Sequence, residues 1–273
     1  MKNIKLVVAD NDGTLIPDDP HTMTDYCREV IKKLQSQGIY FGMASGRDVK
    51  QGLQMAQSFG IDLDLFVGLN GSEYYDGIED KYYQNCILKK ECIQDIITKM
   101  LDHFPHLNLN PAIYIDEHRL SLRDEIVKFG NHNVSMNSIL VKSLDEFWQK
   151  DCGKVMFRVE EDIMAIIYPY ALSISNDKYY ATKTQTTMLE FCPTEAKKIN
   201  PIIKFCQNHN IDMSEVSCFG DMTNDNDMIE GCGYGVAMLN ADEETKKVAK
   251  AITYKNNNED GFADFVEKNF LNH

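Results

Sequence analysis

The sequence predicts an α/β protein: a Rossmann-like parallel sheet with helices on both faces, interrupted by an inserted α+β domain. Three observations carry that expectation. Short apolar runs alternate with helix-period stretches through the N-terminal third. This rhythm breaks near Tyr82 and resumes near Met188. Polar residues suited to chemistry recur just after the apolar runs, where a parallel sheet gathers its ligands.

Taken in order, Leu6-Val7-Val8-Ala9 has the length of a buried strand, and Asp12-Gly13 supplies the turn that ends it. Val30, Ile31 and Leu34 then recur at helical spacing, with Gly38 as a C-terminal cap. The run from Ile39 to Ala44 ends at Ser45-Gly46-Arg47, and a helix to about Phe59 follows, closed by Gly60. A third run, Leu65 to Leu69, ends at Asn70-Gly71.

Beyond Tyr82, the stripe Ile93, Ile96, Ile97, Met100, Leu101 and Phe104 forms one amphipathic helix. Mixed short segments follow over 121–129, 154–159 and 163–172, punctuated by Pro105, Pro111 and Pro169. Residues 82–186 are therefore assigned to the insert, and 1–81 with 187–273 to the core. Past Met188, Asn200-Pro201 reads as an N-cap followed by Pro at the first helical position. The apolar run Val216–Gly220 ends in Asp221-Met222-Thr223-Asn224-Asp225. A strand over 234–238, a charged helix from Asp242, a strand over 251–254 and a helix over 262–270 complete the chain.

The composition narrows the function classes. With 273 residues, 43% hydrophobic and 26% charged, the chain can bury an ordinary globular core, and a monomer is the default. No apolar run spans a bilayer and the N-terminus lacks a signal-peptide pattern, so a cytoplasmic location is expected. The net charge of −14 argues against nucleic acid or an anionic membrane as partner. The eight cysteines are scattered without a CxxC pair, which favours buried thiols over a zinc or redox site.

Asp10 and Asp12 concentrate negative charge at one strand tip, a costly arrangement unless a cation sits there or one carboxyl holds a proton. Asp10 is the best nucleophile candidate, because a carboxylate can attack phosphorus. Asp12 is placed to protonate the leaving oxygen and later deprotonate water. Mg²⁺ takes hard oxygen ligands and keeps several waters, so Asp10, Asp221 and the Asp12 carbonyl would suffice. Ser45 and Gly46 offer a hydroxyl and an N–H for a phosphate oxygen, and Lys198 a neutralising charge. Each piece alone has a structural reading: an Asp-Gly turn, a Ser-Gly cap, a solvated lysine, a polar helix face at Asp225 and Asp227. An EF-hand loop fails, since aligning its glycine with Gly13 puts Val8 at the first ligand position.

Together these residues resemble the four motifs of the haloacid dehalogenase superfamily. Asp10-Asn11-Asp12-Gly13-Thr14-Leu15 corresponds to DxDGTL, Ser45-Gly46-Arg47 resembles the second motif, and Lys198 falls at the third motif's lysine. Gly220-Asp221-Met222-Thr223-Asn224-Asp225 resembles GDxxND. The stretches 235–241 and 259–261 are further similar to the Cof-like branch with its type IIB cap inserted between the second and third motifs. The resemblance implies a Mg²⁺-dependent phosphatase acting on a small phosphorylated metabolite, with sugar phosphates as the expected class. It implies Asp10 as nucleophile, Asp12 as acid/base, and Asp10, Asp12 and Asp221 as metal ligands with Asp225 supporting them. Asn11, Ser45, Gly46, Lys198 and Asn224 would contact phosphate, and Arg47 and Asn70 the substrate or cap. Two departures stand out: Asn11 replaces an apolar residue, and Glu195 and Ile199 replace small glycines, which leaves Lys197 as a competitor for Lys198. A phosphomutase shares the same residues. A receiver-type phospho-acceptor would carry its aspartate on a middle strand of one small domain, and a non-catalytic scaffold would not require both Asp10 and Asp12.

Overall fold

The computed structural model describes residues 3–18, 22–115, 118–129, 132–136 and 138–271. The chain divides into two compact units, one formed by Met1–Asn85 with Glu195–His273 and the other by Cys86–Thr194.

The first unit is built on an eight-stranded sheet. From one edge its strands are Ala251–Ile252, Tyr234–Ala237, Val216–Gly220, Leu6–Asp10, Tyr40–Ala44, Leu65–Gly68, Glu73–Asp76 and Lys81–Gln84. The first six run parallel, and the last two fold back as antiparallel strands. Leu6–Asp10 lies mid-sheet with all five residues buried, which is why it reads as an unbroken apolar run rather than an alternating one. Val7 and Ala9 enter one hydrophobic cluster, whereas Leu6 and Val8 enter another on the opposite face. Helices Asp25–Ser36, Val49–Phe59 and Gly261–Asn269 cover the first face, and Ile199–Asn208 and Asn226–Gly231 the second. Each leucine or isoleucine sealed in this way contributes about 1.5–3 kcal/mol.

The second unit carries a six-stranded sheet in the order Ile139–Leu140, His118–Ser121, Pro111–Ile115, Val155–Arg158, Met188–Pro193, Tyr179–Gln185. Its pairings are antiparallel except at Ile139–Leu140. Helices Lys90–His103 and Glu161–Ser173 pack on the face that presents Val155, Phe157, Leu189 and Phe191. The second of these helices continues through Pro169. A hairpin of Glu125–Phe129 and His132–Met136 stands apart from that sheet.

Two expectations shift. Met188–Pro193 pairs with Val155–Arg158 and Tyr179–Gln185 in the second unit's sheet, so the chain rejoins the first unit at Glu195 rather than 187. Lys81–Gln84 stays with the first unit by pairing with Glu73–Asp76. An apolar run reads alike in either sheet, and only its partners assign it. The helix expected to start after Asn200 begins at Ile199, with Lys198 in the cap position. Pro201 is tolerated because first-turn N–H groups lack helical acceptors anyway. The eight cysteines are free thiols, and seven of them are buried. Among the described residues, no helix is long and apolar enough to cross a membrane.

Candidate active site

The site assembles where the central strands end. Asp10 is the last residue of its strand, nearly buried. Lys198, fully buried at the start of the Ile199–Asn208 helix, donates to Asp10 Oδ1 at 2.6 Å and to Asp225 Oδ1 at 2.6 Å. Lys197 is exposed. The lysine that reaches Asp10 is therefore Lys198, and it is not the solvated side chain that a lone lysine suggests.

Asp221 follows the neighbouring parallel strand, and its Oδ1 accepts from the Thr14 hydroxyl at 3.0 Å. Asp225 supports this arrangement from behind: its Oδ2 accepts from the backbone N–H groups of Asp221 at 3.0 Å and Met222 at 3.2 Å. Gly13 has φ +82°, and a Cβ there would lie 2.4 Å from Asp221 Oδ2. The turn after Asp10 therefore admits only glycine. Asp227, expected on a polar helix face, instead accepts from the N–H of Met228 at 2.7 Å and approaches that of Ile199 at 3.5 Å.

One ligand oxygen from each of Asp10, Asp221 and Asp225 lies within 4.8 Å of the others. Crowding three carboxylates here has an electrostatic cost. Burial pushes the Asp10 carboxyl up to about 7, with Asp225 and Asp12 adding to the rise and Lys198 opposing it. Burial likewise pushes Asp221 up to about 9, reinforced by Asp10 and Asp225. Burial works to lower Lys198, but the carboxylates of Asp10 and Asp225 outweigh it, so the ammonium is held charged. An all-oxygen set short of positive charge suits a hard divalent cation.

Asp12 forms a two-pronged ion pair with Arg47; both side chains are about one-third exposed, at 35% and 32%. Arg47, expected as a substrate or cap contact, is therefore engaged with the proposed acid/base. Ser45 is buried after the Tyr40–Ala44 strand, and its hydroxyl accepts from the Arg47 N–H at 3.2 Å. Ser45 and Gly46 precede the helix rather than capping it: Asp48 is the N-cap of Val49–Phe59 and accepts from Gln51 N–H. Asn70 joins Ser45 through its backbone N–H, which donates to the Ser45 carbonyl at 3.1 Å. Asn224 Nδ2 approaches Asn70 Oδ1 at 3.4 Å. Leu69 and Asn70 both adopt positive φ, at 48° and 53°, a strained pair for non-glycine residues. Asn11 is fully buried, and neither polar atom of its amide has a partner.

The model of the haloacid dehalogenase-like hydrolases matches residues 7–266. The chain belongs to this family. Among curated relatives, phosphatase YwpJ of Bacillus subtilis is 24% identical, the match covering 97% of this chain and 99% of the relative. The B. subtilis 5-amino-6-(5-phospho-D-ribitylamino)uracil phosphatase YwtE is 26% identical over 97% of this chain and 98% of that one. A haloacid dehalogenase-like hydrolase from Bacteroides thetaiotaomicron has the same fold, with a TM-score of 0.77, 24% identity and coverage of 98% and 100%. Both curated relatives are named as phosphatases.

Sequence reasoning passed over Thr14 as a functional residue although it stands inside the first motif. A hydroxyl one residue after a tight Gly turn was the available signal. Only the fold brings that hydroxyl to 3.0 Å from Asp221 Oδ1.

Proposed function

We propose that this hydrolase releases phosphate from small phosphorylated metabolites, with sugar phosphates as the favoured class, through an aspartyl-phosphate intermediate. The observation that carries the reading is Asp10 at a strand tip, held by the buried ammonium of Lys198 and facing Asp221. Asp10 Oδ2 makes no hydrogen bond among the described residues and is the oxygen we assign to attack. As the Asp10–phosphorus bond forms, the bond to the leaving oxygen breaks, and Asp12 transfers a proton to that oxygen. Asp12 then takes a proton from water as the water attacks phosphorus, releasing inorganic phosphate and restoring Asp10. Lys198 offsets the charge that builds on the transferring group. The backbone N–H of Asn11, the hydroxyl of Ser45, the N–H of Gly46 and the amide of Asn224 are proposed to hold phosphate oxygens, with Asn70 orienting Asn224.

Mg²⁺ fits the carboxylates of Asp10 and Asp221 and the Asp12 carbonyl. When bound it would neutralise the crowded oxygens and polarise the phosphoryl group. We assign substrate selection to residues of the second unit. A ribitylamino-uracil phosphate is the named substrate of the relative YwtE, and a solved relative with the same fold is described as a subclass IIB sugar phosphatase. Both support a phosphorylated polyol or sugar as substrate.

The test is phosphate release from a panel of sugar, polyol and nucleoside phosphates with Mg²⁺ present. Asp10→Asn should lower kcat by at least about a thousandfold at unchanged melting temperature, because it removes the nucleophile at nearly equal volume. Near-normal turnover by that variant would rule out the aspartyl-phosphate route.

A further inference from the structure

The second unit contains a cavity of about 410 Å³ that the proposed reaction does not use. Its walls come from residues 107–110, 123–125 and 158–160, with Ile163 and Thr187. Arg158 is the group that distinguishes it. This residue ends a strand inside the six-stranded sheet, opposite Met188, and is half-buried. Among the described residues its guanidinium has no hydrogen bond or ion pair.

The buried carboxylates that act on it, Glu125 and Glu190, are each paired with another cation, Arg119 and Lys154. Glu125 takes a buried ion pair from Arg119 and a 3.4 Å contact from Asn110 Nδ2. Two guanidinium groups thus share one carboxylate, and Arg119 holds it. Asn110 Oδ1 accepts from the N–H groups of Leu122 and Arg123, each at 3.1 Å, and its Nδ2 donates to the Arg123 carbonyl at 2.9 Å. Arg123 spends its guanidinium on the carbonyls of Asn108 and Leu109. Arg158 thus lines the cavity as a cation with no direct ion pair among the described residues, and Glu125 acts on it only through its charge. Burial pulls the Arg158 guanidinium down from its ordinary value, Glu125 opposes that, and Arg119 adds to it.

A partly desolvated cation left alone is costly, and a planar guanidinium binds an oxyanion through two parallel N–H bonds. The 13-residue helix Glu161–Ser173 also begins at this rim, where Glu160 makes no side-chain cap bond. Its N-terminal end carries a partial positive charge, which Glu160, Glu161 and Asp162 offset, so Arg158 is the group that would hold an anion. Exposed Asp124 and Glu160 at the mouth would repel a polyanion but accept from hydroxyl groups on a small ligand. The cavity is of a size that takes small molecules.

We propose that this cavity binds a small oxyanion, a carboxylate or a phosphate group, on the Arg158 guanidinium with Thr187 beside it. Binding requires no turnover, so the proposal stands apart from the phosphatase reading. The test uses the ¹⁵N-labelled full chain in excess chelator, titrated separately with orthophosphate and with lactate at constant ionic strength. The Arg158 Nε–Hε signal, assigned by its loss in Arg158→Gln, should shift saturably with one or both anions. Saturation by phosphate alone would identify a phosphate group as the ligand, and by lactate alone a carboxylate. The anion concentration that gives half-maximal thermal stabilisation should rise at least tenfold in Arg158→Gln for the anion that shifts the signal. Arg158→Lys, which keeps the charge without the fork, should lie between. Orthophosphate bound only at Asp10 would leave the Arg158 signal in place. That result, with no lactate response, overturns the proposal, as does a linear shift that chloride reproduces. Should Arg158→Gln fail to fold, Arg158→Lys provides the assignment and the wild-type titration decides.

Discussion

Asn11 shows how one side chain can conflict with its surroundings. Its amide is sealed from solvent between two aspartates and has no hydrogen-bond partner for either polar atom. An orphaned buried polar group costs about 1–3 kcal/mol, so Asn11→Leu, close in volume, should stabilise the fold by about that amount. Urea unfolding of the two proteins measures it, and a less stable leucine variant would show that the amide is satisfied in solution. Lys198 presents the opposite case. It compensates Asp10 and Asp225 in a fully buried position, and removing one partner of such a group leaves uncompensated charge. Lys198→Met should lower the unfolding free energy by about 3–5 kcal/mol, with part of the loss recovered as the pH falls and Asp10 takes up a proton. A loss well below 1 kcal/mol would mean that the ammonium is not the counter-charge described.

At the scale of elements, the loops at the strand ends fit against one another closely. Leu69-Asn70-Gly71 runs at positive φ throughout, and a Cβ on Gly71 would stand 2.2 Å from the Lys197 carbonyl oxygen. This loop therefore rests on the backbone that delivers Lys198. Gly71→Ala should destabilise the protein by about 1–3 kcal/mol and lower kcat as well, since the strained loop and the lysine would move together. Lost stability with unchanged kcat would separate the loop from the lysine. The helix start teaches a related lesson. Asn200-Pro201 is a good local starting signal, yet Asn200 Nδ2 donates to the Glu195 carbonyl and the helix begins two residues earlier, at Ile199. The ion pairs of Lys198 with Asp10 and Asp225 outweighed the local capping preference.

For the whole molecule, the raised carboxyls link stability to pH. Asp10 and Asp221 move from an ordinary 3.8 to about 7 and about 9 on folding, so the native state binds protons more tightly than the unfolded chain. Their contribution is fully present below pH 3.8 and is lost as the pH rises toward 7 and then 9. Metal-free protein should accordingly show a melting temperature that declines from about pH 5 to pH 9. Mg²⁺ should flatten that decline by stabilising the ionised carboxylates. A metal-free melting temperature that rises over this window would contradict the assignment.

Much of the core and its chemistry was legible in the chain. The parallel strands are buried on both faces, so they appear as unbroken apolar runs, and their polar C-terminal ends mark the site. The helix Val49–Phe59 ended at Gly60 as expected because a left-handed cap favours glycine. The second unit was less legible. Met188–Pro193 is apolar enough for either sheet, and the helix Glu161–Ser173 is obscured by Pro169.

What the sequence determined by itself was local: periodicity, turn chemistry and the order of motif residues, each set by neighbours a few positions apart. The tertiary structure alone decided which partners those residues meet. It placed Lys198 rather than Lys197 against Asp10, turned Arg47 onto Asp12, brought Thr14 to Asp221, and left Arg158 without an ion pair among the described residues. These outcomes depend on charge separation and burial across contacts distant in sequence, which no local pattern encodes.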